Sequence, residues 1–140
     1  MKKTICLNMI VKNETKNLRR LFKSLKQVID YYVIHDTGST DGTQGLIKEV
    51  MDSYDISGEI IEEKWVNFGV NRQKALESVV NSKYNPDYLL WIDADEELYF
   101  KNLEWFNTLT KDCYNIKRVY GSIDYYNPHL IRLSNNNNIG

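Results

Sequence analysis

The chain has 140 residues, 42% of them hydrophobic and 26% charged, with a formal net charge of -1. That length gives one domain with a single core, and the near-neutral balance excludes the electrostatic footprint of a nucleic-acid or anionic-membrane binder. No run approaches the roughly 20 apolar residues of a membrane span, so no transmembrane segment is expected, and Met1-Lys2-Lys3-Thr4 opens no long apolar signal core. The expectation is a soluble protein of the cytoplasm or another intracellular space. Cys6 and Cys113 form no metal-spaced motif, which fits a reduced setting.

Residues 4–11 are almost continuously apolar, as in a strand buried on both faces. Asn13 is placed to cap a helix in which Leu18, Leu21, Phe22, Leu25 and Val28 recur at three and four. A second strand at 31–34 ends in His35-Asp36, followed by Thr37-Gly38-Ser39-Thr40-Asp41-Gly42-Thr43-Gln44, which is dense in turn residues. Asp41 with Gln44 resembles a capping box for a second helix with the stripe Leu46, Ile47, Val50, Met51 and Tyr54. A third strand lies within 56–63, around Ile60-Ile61, and Phe68, Arg72, Ala75, Leu76, Val79 and Val80 mark a third helix. Asn85-Pro86-Asp87 reads as a turn into a fourth strand at 88–92. This strand–helix alternation predicts an α/β fold, a mostly parallel sheet with helices on both faces and right-handed crossovers.

Beyond residue 100 the pattern changes. Leu103, Phe106 and Leu109 suggest a short helix, and 116–126 and 129–133 read as strands around Asn127-Pro128. One domain over 1–134 is expected. Residues 135–140 (Asn135-Asn136-Asn137-Asn138-Ile139-Gly140) are expected to be a mobile polar tail. The ending reads as a cut in a larger fold.

The chemistry concentrates at the predicted carboxyl ends of the strands, where open α/β sheets bind ligands. Leu89-Leu90-Trp91-Ile92-Asp93-Ala94-Asp95-Glu96-Glu97 runs from an apolar strand into carboxylates. Two aspartates one residue apart can hold a hard divalent cation, which prefers oxygen ligands and suits a diphosphate. The competing reading is a solvated acidic turn. Val11-Lys12-Asn13-Glu14 and Asp36 fall at the same edge, and Arg72 can point toward it. Asp36 can equally be a turn former bonding its own backbone, and Arg72 can simply solvate a helix end. Asp41 is assigned mainly to helix capping. His35 and His129 lack partners at ligand spacing, which favours core or surface roles.

Taken together, Asp36-Thr37-Gly38-Ser39-Thr40-Asp41-Gly42-Thr43, the Arg72-Gln73 pair within Phe68-Gly69-Val70-Asn71-Arg72-Gln73-Lys74-Ala75-Leu76, and Trp91-Ile92-Asp93-Ala94-Asp95-Glu96 resemble three ordered motifs of the family 2 glycosyltransferases, which have the GT-A (Rossmann-like) fold. Val11-Lys12-Asn13-Glu14 is similar to that family's first-strand end, and the resemblance spans about residues 4–134. It implies a UDP-sugar donor, UDP-glucose being the commonest choice, with Mn²⁺ or Mg²⁺, and transfer to an acceptor hydroxyl with inversion. Carried over by position, Asp36 would bond the base or ribose. Arg72, with Asn71 beside it, would lie near the base or diphosphate. Val11, Lys12, Asn13 and Glu14 would line the nucleoside pocket, largely through backbone groups. Asp93 would face the ribose or a metal-bound water, Ala94 would line the donor, and Asp95 would ligate the metal, with Asp93 as its second candidate ligand. Glu96 and Glu97 are left as helix-start or solvent-facing groups.

Thr37 stands where many members carry a second aspartate. An inverting transferase also needs a general base, which in this family lies on an acidic or His-Glu element after the matched region. Leu130-Ile131-Arg132-Leu133 resembles the strand leading to it, while Asp124 and His129 do not match the base motif. The expectation is a donor-binding portion of a larger enzyme, with the base outside this chain and little transfer by the chain alone; the acceptor is undetermined. Two rivals remain: a non-catalytic α/β nucleotide-binding or interaction module, and an aspartic protease, from Asp36-Thr37-Gly38-Ser39. The protease requires an almost entirely β chain, whereas this motif runs into a helical stripe. A nucleotidyltransferase would need a Gly-rich, Lys-containing loop that the N-terminal region lacks.

Overall fold

A computed structural model describes residues 2–120 and 123–133, with side chains described outside 115–129. The expected tail at 135–140 and the side chains of Asp124 and His129 lie outside that description. Strands β1 (Ile5–Val11), β2 (Tyr31–Asp36), β3 (Ser57–Glu62) and β4 (Tyr88–Trp91) alternate with helices α1 (Thr15–Leu25), α2 (Thr43–Ser53) and α3 (Phe68–Val80). A 3₁₀ turn (Leu103–Asn107) and strands β5 (Cys113–Tyr120) and β6 (Ile123–Arg132) follow. The six strands form one sheet in the order β3-β2-β1-β4-β6-β5. β1 to β4 run parallel, while β6 pairs antiparallel with both β4 and β5. The sheet is therefore mixed.

Strand alternation divides the core between two faces. Ile5, Leu7, Met9 and Val11 of β1, with Tyr32, Ile34, Tyr88 and Leu90, pack on Leu18, Leu21, Phe22 and Leu25 of α1 and Ile47, Val50 and Met51 of α2. Cys6, Val33, Leu89 and Trp91 point the other way, onto Ala75 and Val79 of α3. Helices cover both faces, as the alternation predicted. Asn8, fully buried on the α3 side, donates from Nδ2 to the carbonyls of Val33 (3.0 Å) and Ala75 (3.2 Å), tying that helix to the sheet. Burial pushes the Cys6 thiol up to about 12, so it stays protonated as a core residue.

Several local expectations give way. Asn13 does not cap α1: it sits at φ 54°, Glu14 is the N-cap, and no side-chain cap bond forms. The Asp41–Gln44 box does not form either. Gly42 takes the N-cap of α2 at φ 87°, a left-handed conformation that a Cβ would strain, and Gln44 bonds Glu62 instead (3.2 Å). In α3, Ala75 and Val79 are buried but Phe68 and Val80 are exposed, so the buried stripe is narrower than the sequence implies. The residues after β4 start no helix at Glu96 or Glu97.

The expected strand break at Asn127-Pro128 is absent, because both residues lie inside β6. The register slips opposite Tyr114 and Asn115, which pair with Leu130 and Pro128, and β4 pairs only with residues 130–132 of β6. Pro128 therefore sits at a bulge, beyond the reach of the β4 ladder, where its missing N–H is tolerated.

Candidate functional site

In the parallel register, Val11 lies beside Asp36 and Asp36 beside Glu62, while Trp91 lies opposite Asn8. The chain leaving β1, the chain leaving β2 and the acidic segment after β4 thus emerge on one edge of the sheet. The topology brings three of the sequence-predicted clusters together.

Asp36 is 1% exposed. Its Oδ1 accepts hydrogen bonds from the amides of Gly38 (2.8 Å) and Ser39 (2.7 Å), so it does form the turn that its alternative reading required. Its Oδ2 is buried and without a hydrogen-bond partner. Leaving a buried acceptor unmet costs on the order of 1–3 kcal/mol, and the turn does not explain that expense. Gly38, at φ 119°, lets the chain fold back over this carboxylate.

The loop after β1 is latched to the loop after β2. Asn13 Oδ1 accepts from the amide of Thr40 (2.7 Å), and the Asn13 amide donates to Ser39 Oγ (2.9 Å). The Glu14 amide donates to Thr43 Oγ1 (3.0 Å). Asp41 stands between the starts of two helices, accepting from the amide and hydroxyl of Thr43 on one oxygen and from those of Thr15 on the other. These bonds, the Thr43 hydroxyl first, hold its carboxyl below the usual aspartate range. Lys12 is exposed and Val11 is buried.

Arg72 is half-buried, its guanidinium 4.4 Å from the centre of the Trp91 ring, a cation–π contact on the α3 side of the sheet. Phe68 meets the same ring edge-on at 6.5 Å. Asn71 is fully buried and spent on the chain: Oδ1 accepts from the amides of Val66 (2.8 Å) and Asn67 (3.1 Å), and Nδ2 donates to the Lys64 carbonyl (3.0 Å). It shapes the approach to α3. By strand alternation Asp36 belongs to the α1/α2 side, so Arg72 and Asp36 flank the sheet edge from opposite faces.

Asp93 and Asp95 are exposed, with buried Ala94 between them. The Asp93 amide donates to Glu96 Oε1 (2.8 Å), and the Glu96 amide to the Asp93 carbonyl, closing a tight turn. No hydrogen bond or ion pair engages the Asp95 carboxylate among the described residues. Among those residues, no group of three or more His, Cys, Asp or Glu is arranged to hold a metal ion. The donor set nevertheless suits a hard cation. Mg²⁺ binds through one or two carboxylates and completes its shell with water and substrate phosphates, without an all-protein cage.

A cleft of about 450 Å³ lies elsewhere, lined by residues that include His35, Glu63, Lys74 and Ser78 and none of Asp36, Asp93 or Asp95. His35 Nε2 lies 2.7 Å from Ser78 Oγ, and burial pushes the imidazole pKa down, in line with the core role expected for it. Two features of the edge escaped the sequence: Trp91 as the platform for Arg72, and the side chains of α1 that reach the acidic turn. Neither has a local signal, since both join residues far apart in the chain.

The family profile described as Glycosyl transferase family 2 matches residues 6–138. The SPbeta prophage-derived glycosyltransferase SunS of Bacillus subtilis (strain 168) is 35% identical over 99 residues, covering 70% of this chain and 21% of that protein. The uncharacterized glycosyltransferase RP128 of Rickettsia prowazekii (strain Madrid E) is 31% identical over 96 residues, covering 69% of this chain and 29% of that protein. The crystal structure of S. aureus TarS 1-349 superposes with a TM-score of 0.57 at 18% identity, over 75% of this chain and 30% of that one. This last likeness is one of fold. The chain spans less than a third of the length of these relatives.

Proposed function

The chain belongs to glycosyl transferase family 2, and on that premise we propose that it binds a UDP-sugar, UDP-glucose as first candidate, through Mn²⁺ or Mg²⁺, for inverting transfer to an acceptor hydroxyl. The observation that carries this reading is Asp36, a buried carboxylate with one oxygen unpartnered at the edge where the acidic turn also emerges. An acceptor atom in that position suits a donor group on a nucleoside, such as a base N–H or a ribose hydroxyl.

The roles follow from position. Asp36 receives the nucleoside, and the latched segment Val11, Lys12, Asn13 and Glu14 walls its pocket, mostly through backbone. Asn71 acts at one remove, by shaping the residues ahead of α3. Arg72, its guanidinium held over the Trp91 ring, presents positive charge toward the diphosphate. Asp95 holds the cation, with Asp93 turned to the ribose or sharing the metal and Ala94 packed beneath them. A divalent cation bound there offsets the charge that develops on the departing diphosphate. No residue described here is assigned as general base.

An aspartic protease is disfavoured, because Asp36-Thr37-Gly38-Ser39 leads into α2 on a mixed α/β sheet. The test is calorimetric titration of UDP, UDP-glucose, UDP-GlcNAc and GDP-mannose with and without Mn²⁺. The expected outcome is binding of the uridine nucleotides, strengthened by the metal, with GDP-mannose much weaker. Indifference to both base and metal would leave a non-catalytic interaction module.

A further inference from the structure

Residues 93–97 carry four carboxylates, Asp93, Asp95, Glu96 and Glu97, and like charges this close repel one another. Helix α1 reaches across to this segment. Arg20 Nη2 donates to the carbonyl of Asp95 (3.2 Å), and Arg20 Nε stands 4.0 Å from Glu97 Oε1. One helical turn further on, Ser24 Oγ accepts from the amide of Leu98 (3.0 Å) while donating to the Leu21 carbonyl (2.6 Å). Residues four apart lie on one helix face, so Arg20 and Ser24 form a rail along which the acidic segment is fixed. Buried Ala94 and Leu98 supply its apolar footing. Glu97 Oε1, the oxygen nearest Arg20, also accepts from the Tyr99 hydroxyl (3.1 Å).

We propose that Arg20 is a positioning residue for the cation: by gripping the Asp95 carbonyl and drawing off Glu97, it aims the Asp95 side chain outward. This role rests on the donor-site reading above. Its guanidinium contributes a fixed hydrogen bond to the backbone of the residue assigned to the metal, together with a positive charge that offsets the local excess of carboxylates. Arg19, the neighbouring arginine, instead reaches Glu49 (3.5 Å) on α2.

The experiment is calorimetric titration of UDP, with and without Mn²⁺, into the unaltered chain and its Arg20→Ala, Arg20→Lys and Arg19→Ala forms. Loss of a partner that orients a metal ligand typically weakens metal binding by 10–100-fold. For an exposed arginine the low end applies: Arg20→Ala should lose about tenfold of the Mn²⁺-dependent affinity. Its metal-free UDP affinity and melting temperature should be unchanged. Arg20→Lys should fall between the two, since an ammonium keeps the charge but not the forked reach, and Arg19→Ala should match the unaltered chain. Mn²⁺ dependence that persists undiminished in Arg20→Ala overturns this role alone. No Mn²⁺ dependence in the unaltered chain overturns the donor-site reading and this role with it.

Discussion

Aspartates stand at both ends of the parallel strands, and the two ends use them differently. At the amino edge, Asp30 accepts from the Ile5 amide (2.9 Å) and from Lys2 Nζ (3.0 Å), while Asp87 accepts from the amide and hydroxyl of Thr4 (2.9 and 3.1 Å). Those carboxylates stitch chain to chain. At the carboxyl edge Asp36 gives one oxygen to its turn and keeps the other buried and unpartnered, and Asp95 stands exposed on a segment braced from α1. A carboxylate consumed by the backbone is explained by folding. One held in place with bonding capacity to spare is available to the donor proposed above.

Substitutions at the two edges should therefore separate binding from stability. The largest effect is expected from Asp36→Asn. An asparagine keeps an oxygen for the amides of Gly38 and Ser39, so the turn survives, but it turns the spare acceptor into a donor. UDP affinity should fall by roughly 100-fold, because a site built to accept a hydrogen bond rejects the opposite polarity, while the melting temperature moves little. Equal UDP affinity in titrations of Asp36→Asn would reduce Asp36 to a turn residue and erase the contrast. A smaller and opposite pattern is expected from Asp87→Ala. Losing its bonds to Thr4 should cost about 1–2 kcal/mol in urea unfolding and leave UDP affinity unchanged. A loss of affinity there would mean that the amino edge shapes the site after all.

How far the sequence anticipated this arrangement depended on the range of the interactions. The alternation of apolar strands and striped helices placed β1 to β4 and α1 to α3 because burial periodicity is a local property. It also placed Val11, Asp36 and Asp93 on one edge, since parallel strands joined by helices end on the same side. Cap chemistry was misjudged where a side chain had a better partner across space: Asn13 is taken by the loop after β2 and Gln44 by Glu62, while Asp41 keeps the capping role read for it and extends it to the starts of both α1 and α2. Pro128 was read as a strand breaker, whereas a bulge and the short β4 ladder make room for it inside β6. Arg20 and Ser24 gave no signal at all, and Trp91 none as the partner of Arg72. Their partners lie far along the chain, and only the packing of α1 and α3 against the sheet brings them together.

The central claim is that the acidic turn after β4 completes a cation site only together with a nucleoside diphosphate. It is tested most directly by the Mn²⁺-dependent increment in UDP affinity, measured by calorimetry for the unaltered chain and for Asp95→Asn. The account predicts that Mn²⁺ tightens UDP binding to the unaltered chain and that Asp95→Asn abolishes this increment while retaining the metal-free affinity. An increment of the same size in Asp95→Asn would contradict it.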